Sequence, residues 1–177
     1  MIAPLLTAVA CLALLGAPQL DGSTPLQPLA ASPALNQAAP PIKGALMDGK
    51  PYDLSAMRGQ VVLVDFWATW CEPCKLSLPR YAALEKKLGS QGFHILTVSV
   101  DEETDVLKRF IAATKLTLRV LHDPESKIAE RYRPAKMPTA YLVGKDGKIT
   151  WIHSSFVVGD EAKVEAEVIK ALAQPAP

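Results

Sequence analysis

Three cysteines occur in the 177-residue chain, and two of them are separated by two residues in the run Trp70-Cys71-Glu72-Pro73-Cys74. That run follows an apolar segment, Val61 to Trp67, and opens a stretch of helical spacing. At a helix N-terminus the unpaired backbone N–H groups carry a partial positive charge, so a first thiol ionises below the free value of about 8.5 and becomes a nucleophile. The second thiol, one turn into the helix, closes on the first and releases a mixed disulfide. On this reading Cys71 attacks, Cys74 resolves, and the pair cycles between dithiol and disulfide. Two inert buried thiols, or half of a metal site, would require neither the tryptophan, the intervening proline nor the strand-to-helix junction. Pro73 suits a first helical turn, where its missing N–H costs nothing. Glu72 has two readings: a charge that favours the neutral thiol by repulsion, or a solvated first-turn acid.

Other chemistries find less support. Zinc normally takes four Cys or His ligands, and His94, His122 and His153 lack metal-ligand spacing, so no metal is expected. A P-loop and a dinucleotide fingerprint are both missing, and no cofactor is expected. With 19 basic and 18 acidic residues the formal net charge is +1, which gives no summed field to attract nucleic acid or an anionic membrane surface. One further residue stands out. Asp65 interrupts the apolar run Val61 to Trp67; an acid there is costly unless satisfied, and burial raises its pKa. Its alternative is a polar side chain facing out at a sheet edge.

The elements that must position these residues follow from hydrophobic patterning. Ala45 to Met47 and Tyr52 to Leu54 flank Asp48-Gly49, a hairpin signal. Val61 to Trp67 reads as a central strand buried on both faces. Leu76, Tyr81, Leu84 and Leu88 recur at helical spacing up to Gly89, and Phe93 to Val100 reads as the next strand, which makes a β-α-β unit with a parallel pair. Val106, Leu107, Phe110 and Ile111 mark a second helix, Leu118 to Leu121 a short strand, and Ser126 to Tyr132 a short helix. Ala140 to Val143 and Ile149 to His153 form strands around an Asp146-Gly147 turn, and Val164, Val168, Ile169 and Leu172 line a closing helix. The order predicts an α/β domain with a mixed sheet and helices on both faces, spanning residues 42–173 before a short tail at 174–177.

The first 42 residues differ from the rest, with a single charge, Asp21, and seven of the 15 prolines. Leu5 to Ala17 is apolar but shorter than the roughly 20 residues of a membrane-spanning helix, which suits a secretory signal over residues 1–17, although Met1-Ile2-Ala3-Pro4 lacks the usual basic residue. A lipoprotein signal is the second reading, with Ala8-Val9-Ala10 preceding Cys11 as the acylated residue. Residues 18–41, rich in Pro, Ala, Ser and Gln, read as a flexible linker.

Val-Asp-Phe-Trp-Ala-Thr-Trp-Cys-Glu-Pro-Cys-Lys (64–75), with Pro79 and Met137-Pro138-Thr139, strongly resembles the thioredoxin superfamily over the whole globular part. The export signal, the hairpin and the long stretch of 64 positions from Cys74 to Pro138 resemble its TlpA/ResA/CcmG-like branch, which inserts an extra helix and strand, here over Glu103 to Leu121. The resemblance implies a thioredoxin-like fold and a Cys71–Cys74 redox disulfide. It also implies that Pro138 is a cis-proline opposite the active site whose neighbouring backbone pairs with the substrate chain, and that Asp65 exchanges a proton with Cys74. Trp70, Glu72, Pro73, Met137 and Pro138 then form the substrate-binding surround. Members of this branch often carry a Glu three residues after the second cysteine where this chain has Ser77, so that Glu's role does not transfer. The implied activity is thiol-disulfide exchange on exported proteins, as a reductant recharged by a membrane thiol donor, with cytochrome c maturation as one setting. The protein would act as a monomer in the periplasm or another extracytoplasmic space, tethered through Cys11 on the lipoprotein reading. An oxidant that introduces disulfides, a binding or chaperone module whose cysteines are incidental, and a peroxidase are the competing readings.

Overall fold

The computed structural model describes residues 32–176; the proposed signal, Cys11 and most of the stretch read as linker lie outside them. The chain runs β1 (Lys43–Ala45), β2 (Pro51–Asp53), β3 (Val61–Trp67), α1 (Glu72–Leu88), β4 (Phe93–Ser99), α2 (Thr104–Thr114), β5 (Arg119–His122), α3 (Ala129–Tyr132), β6 (Thr139–Val143), β7 (Ile149–Ser154) and α4 (Asp160–Leu172). A five-stranded sheet of order β5-β4-β3-β6-β7 forms the centre, parallel across β5, β4 and β3 and antiparallel across β6 and β7. This is a mixed α/β fold of the thioredoxin-like kind, and α2 with β5 occupies the span expected of the inserted helix and strand.

All seven residues of β3 are buried, because both sheet faces are covered. Alternation along the strand sends Val61, Leu63 and Trp67 toward a layer with Leu78, Tyr81, Leu84 and Leu88 of α1, Leu107 of α2, and Val164 and Val168 of α4. Val62, Val64 and Phe66 point the other way, onto Ile42, Tyr52, Leu54, Ile128 and Tyr132. The second face thus carries one short helix and the β1–β2 hairpin, and three of the four helices share the first. Phe66, Tyr132 and Tyr141 pack tilted or edge-on at 5.0 to 5.8 Å between centroids, and the Tyr141 hydroxyl donates to the Tyr132 carbonyl at 2.8 Å.

Several boundaries differ from the sequence reading for identifiable reasons. The hairpin begins two residues earlier than predicted, because Leu46 and Met47 leave it for β5: Leu46 bridges Leu121, and the Met47 N–H donates to the Val120 carbonyl at 2.8 Å. Gly49, at φ +84°, makes the turn between the two strands. The short helix starts at Ala129 and not at Ser126, because the Asp123 carboxylate accepts the N–H groups of Ile128 and Ala129, both at 2.9 Å, and fixes the start there. Ordered contacts also reach back before Ile42: the Asn36 N–H donates to Ile149, Ala38 bridges Lys148, and the Tyr132 hydroxyl donates to the Pro40 carbonyl at 2.8 Å. The last residues of the stretch read as linker therefore belong to the packed domain.

Leu63 is fully buried at the centre of this arrangement, whereas Leu35 is half exposed. Leu63→Ala should lower the unfolding free energy by about 2 to 5 kcal/mol in urea titrations, through lost transfer energy and the residual cavity. Leu35→Ala should stay within about 0.5 kcal/mol.

Candidate active site

Sheet topology gathers the site at one edge. Trp67, the last residue of β3, pairs with Ser99, the last of β4. Because β6 runs antiparallel to β3, its first residue, Thr139, pairs with Phe66, so Pro138 lies at the same edge. Ser154 at the end of β7 pairs with Thr139, which brings the loop before α4 there as well. The segment from Ala68 to Cys71, the Met137-Pro138 turn, Asp101 and the 155–159 loop thus converge, although they are far apart in sequence.

Cys71 and Cys74 form a disulfide with an S–S distance of 2.03 Å. Cys71 is the N-cap of α1, in extended backbone conformation at φ −88° and ψ 103°, with Glu72 and Pro73 in the first turn. Its carbonyl accepts the N–H groups of Cys74 at 3.1 Å and Lys75 at 3.3 Å, so its side chain stands where the helix presents unpaired N–H groups. Cys71 is 6% exposed and Cys74 is fully enclosed, so of the two residues only Cys71 reaches the surface. Glu72 is exposed, and its carboxylate accepts Lys75 Nζ at 2.6 Å, an exposed pair that contributes about 1 kcal/mol at most. Ser77 is buried, and its Oγ donates to the Cys74 carbonyl at 3.0 Å.

Asp65 lies on the β3 face shared by Val61, Leu63 and Trp67, the face covered by α1 and by Cys74. It is fully buried, which excludes the edge-facing alternative, and neither carboxylate oxygen has a hydrogen-bond partner among the described residues. Desolvation pushes its pKa well above the ordinary carboxylate range. Tyr81, one helix turn beyond Leu78 on the same buried face of α1, has its hydroxyl pKa raised first by burial and then by the Asp65 charge.

At the same edge as the disulfide the Met137–Pro138 peptide bond is cis, with Pro138 buried and Met137 half-buried. The Pro138 carbonyl accepts the Ser155 N–H at 2.7 Å, and Thr139 Oγ1 donates to Ser154 Oγ at 3.1 Å. Beside these stand the exposed apolar side chains of Trp70, Val157 and Val158. Asp160 holds the valine loop in place: its carboxylate accepts Lys163 Nζ at 2.8 Å and the Val157 N–H at 2.9 Å, and lies 3.2 Å from His153 Nε2. The Lys163 and Val157 hydrogen bonds lower its pKa to about 2.

The sequence reading did not single out Thr69, Asp101, Val157 or Val158. Asp101 follows a strand as many surface acids do, and only the Trp67 to Ser99 register places it beneath the active-site turn. His94, His122 and His153 are engaged by Glu85, the Asp101 carbonyl and Asp160, respectively.

Comparison with known proteins agrees with this geometry. A sequence model of the AhpC/TSA family matches residues 35–152. Thiol-disulfide oxidoreductase ResA of Bacillus cereus is 31% identical over 121 residues, 68% of either chain. Among solved structures, a putative thiol:disulfide interchange protein DsbE from Chlorobium tepidum superposes with a TM-score of 0.77 at 30% identity, over 80% of this chain and all of that one. The exposed lipoprotein thioredoxin Etrx1 of Streptococcus pneumoniae superposes at 0.66 with 28% identity, over 74% of this chain and 99% of that one. With a helix-capping disulfide at the end of a doubly buried strand and a family match over about two thirds of its length, the chain belongs to the AhpC/TSA family of thioredoxin-like proteins and is a thiol-disulfide oxidoreductase.

Proposed function

We propose that this oxidoreductase reduces disulfides in proteins outside the cytoplasm. The observation that carries the direction is the poverty of thiolate stabilisation around Cys71. An oxidant of this kind draws its power from a strongly stabilised thiolate in the reduced form. Here the residues between the cysteines are Glu72 and Pro73, neither of which offers a cation, and the nearby Lys75 is engaged by Glu72. The helix terminus alone then stabilises the Cys71 thiolate, which favours a couple that gives electrons.

The Cys71 thiolate attacks one sulfur of a substrate disulfide, forming a mixed disulfide and releasing the first substrate thiolate. Asp65, as carboxylate, takes the Cys74 proton; the Cys74 sulfur then attacks Cys71 and releases the second substrate thiolate, which is protonated in turn. Two electrons pass to the substrate and the Cys71–Cys74 disulfide remains, to be reduced again by a membrane dithiol donor. Trp70, Met137 and Pro138 receive the substrate chain, and Glu72 and Pro73 border it. Apocytochrome c is one substrate of suitable chemistry, since its paired thiols must be reduced before haem attachment. The apolar run from Leu5 to Ala17 supports export, with cleavage or acylation at Cys11 as the two routes. The likeness to a lipoprotein thioredoxin described as exposed is consistent with either. The domain, from about residue 35 to 173, acts as a monomer.

Equilibration of the purified protein with glutathione or dithiothreitol buffers should give a two-electron potential near or below about −270 mV, with Cys74→Ser abolishing the couple; a value near about −120 mV would make it an oxidant instead. Asp65 gives a second test through pH. Its folded pKa is raised, so between the unfolded value near 3.9 and the folded one the unfolded chain has lost a proton that the native protein keeps, and stability falls as pH rises. Asp65→Asn lacks this dependence. In urea titrations of the oxidised proteins from pH 4 to 8 the variant should gain on the wild type by up to tenfold in folding constant per pH unit across that window. Release of the mixed disulfide should slow on the order of a hundredfold in stopped-flow experiments at neutral pH.

A further inference from the structure

The Thr69 turn immediately before the redox pair is held by a carboxylate that the exchange chemistry above does not use. Asp101 is 3% exposed, just beyond the end of β4. Its Oδ1 accepts Thr69 Oγ1 at 2.6 Å and the Thr69 N–H at 3.1 Å; Oδ2 accepts the same N–H at 3.0 Å and Ser99 Oγ at 2.7 Å. The Asp101 N–H also lies 3.2 Å from Ser99 Oγ. Both neighbours of the turn are tied as well, since the Trp67 carbonyl accepts the Val100 N–H at 3.0 Å and the Ala68 carbonyl accepts the Cys71 N–H at 3.1 Å. On the far side the Asp101 carbonyl meets His122 Nε2 at 2.6 Å, and His122 Nδ1 lies 3.4 Å from Thr104 Oγ1. His122 ends β5 and Thr104 begins α2, so the network joins the inserted helix and strand to the turn that carries Cys71.

We propose that Asp101 is a positioning residue for the redox pair: by clamping Thr69 it fixes the turn so that Cys71 Sγ stays at the N-terminus of α1, and it makes the α2–β5 unit a structural support of thiol reactivity. The inference rests on the reading of Cys71 as the attacking thiol. Its physical basis is the short range of helix-terminus stabilisation, which falls off within a turn. Thr69 lies two residues before Cys71, and with its clamp removed the turn gains backbone freedom where the sulfur's placement is decided. Three donor groups converging on one enclosed carboxylate are a stronger restraint than a lone turn hydrogen bond, because hydrogen bonds to a charged acceptor are the stronger kind.

The test uses the reduced full-length protein and follows iodoacetamide alkylation of Cys71 against pH, reduction of a model peptide disulfide, and thermal unfolding. Asp101→Ala should move the alkylation midpoint toward that of a free thiol and slow alkylation about fivefold or more below neutral pH, with peptide reduction falling in parallel. Thr69→Val, which keeps the N–H and loses the hydroxyl, should show the same change at smaller amplitude, and Thr69→Ser should restore the wild-type profile. Asp101→Asn retains an acceptor for Thr69 and a donor toward Ser99, and should fall between wild type and alanine. If Asp101→Ala fails to fold, the Thr69 pair decides. Should Asp101→Ala and Thr69→Val lower the melting temperature while leaving the alkylation profile and peptide rate unchanged, Asp101 is a structural plug and the proposal is overturned. Preferential alkylation of Cys74 in the wild type would instead overturn the assignment of Cys71, and this inference with it.

Discussion

In the central sheet β3 is paired in parallel with β4 and antiparallel with β6. That mixed pairing brings the C-terminal ends of β3 and β4 and the N-terminal end of β6 to a single edge. A fully parallel sheet would have put the start of β6 at the opposite edge, away from Cys71. Pro138 therefore stands beside the disulfide because of strand direction, and the Phe66 to Thr139 register sets how far along the edge it stands. The register is secure because β3 is buried on both faces, and a slip by one residue would exchange its two sets of side chains between the two cores.

The same burial governs how the acids of the domain are treated. Asp101, Asp123 and Asp160 are each enclosed, and each carboxylate accepts several hydrogen bonds, from a turn, a helix start and a loop, respectively. Their charge is directed at backbone N–H groups that would otherwise be unpaired, so each acid holds a segment of the active-site edge or its supports. Asp65 is the exception, buried without a hydrogen-bond partner among the described residues. A group of that kind is a liability for stability. Its position under α1, on the face that also receives Cys74, suits a proton reservoir on the reading proposed above, since a donor that satisfied it would also hold its pKa low.

Legibility from sequence followed the range of the interaction that defines each feature. β3 was read residue for residue, because a continuous apolar run bounded by polar turns has few alternatives, and the cysteine pair announced itself by two-residue spacing at the end of that run. The hairpin slipped by two residues because Leu46 and Met47 are equally suited to β1 or to the edge of β5, and the choice is tertiary. Residues 36–40 looked like linker because Asn, Gln, Ala and Pro carry no periodic pattern; they pair through backbone groups, which composition does not reveal. Asp101 was illegible for a different reason. It is one of 18 acidic residues, and its contact with Thr69 spans 32 positions, so nothing local distinguishes it.

This division bears on how the site is built. The cysteine pair rests on a local device, a helix start, and such devices are portable among folds. The features that surround it are nonlocal: a proline turn from β6, an acid on the covered face of β3, and a carboxylate at the end of β4. Each is delivered by the sheet and becomes fixed only when the strands have paired. A chain that had formed α1 alone would have two thiols near a helix terminus, but neither the enclosed Cys74 nor the clamped turn. The exposure difference between the two cysteines is thus a property of the assembled sheet rather than of the motif.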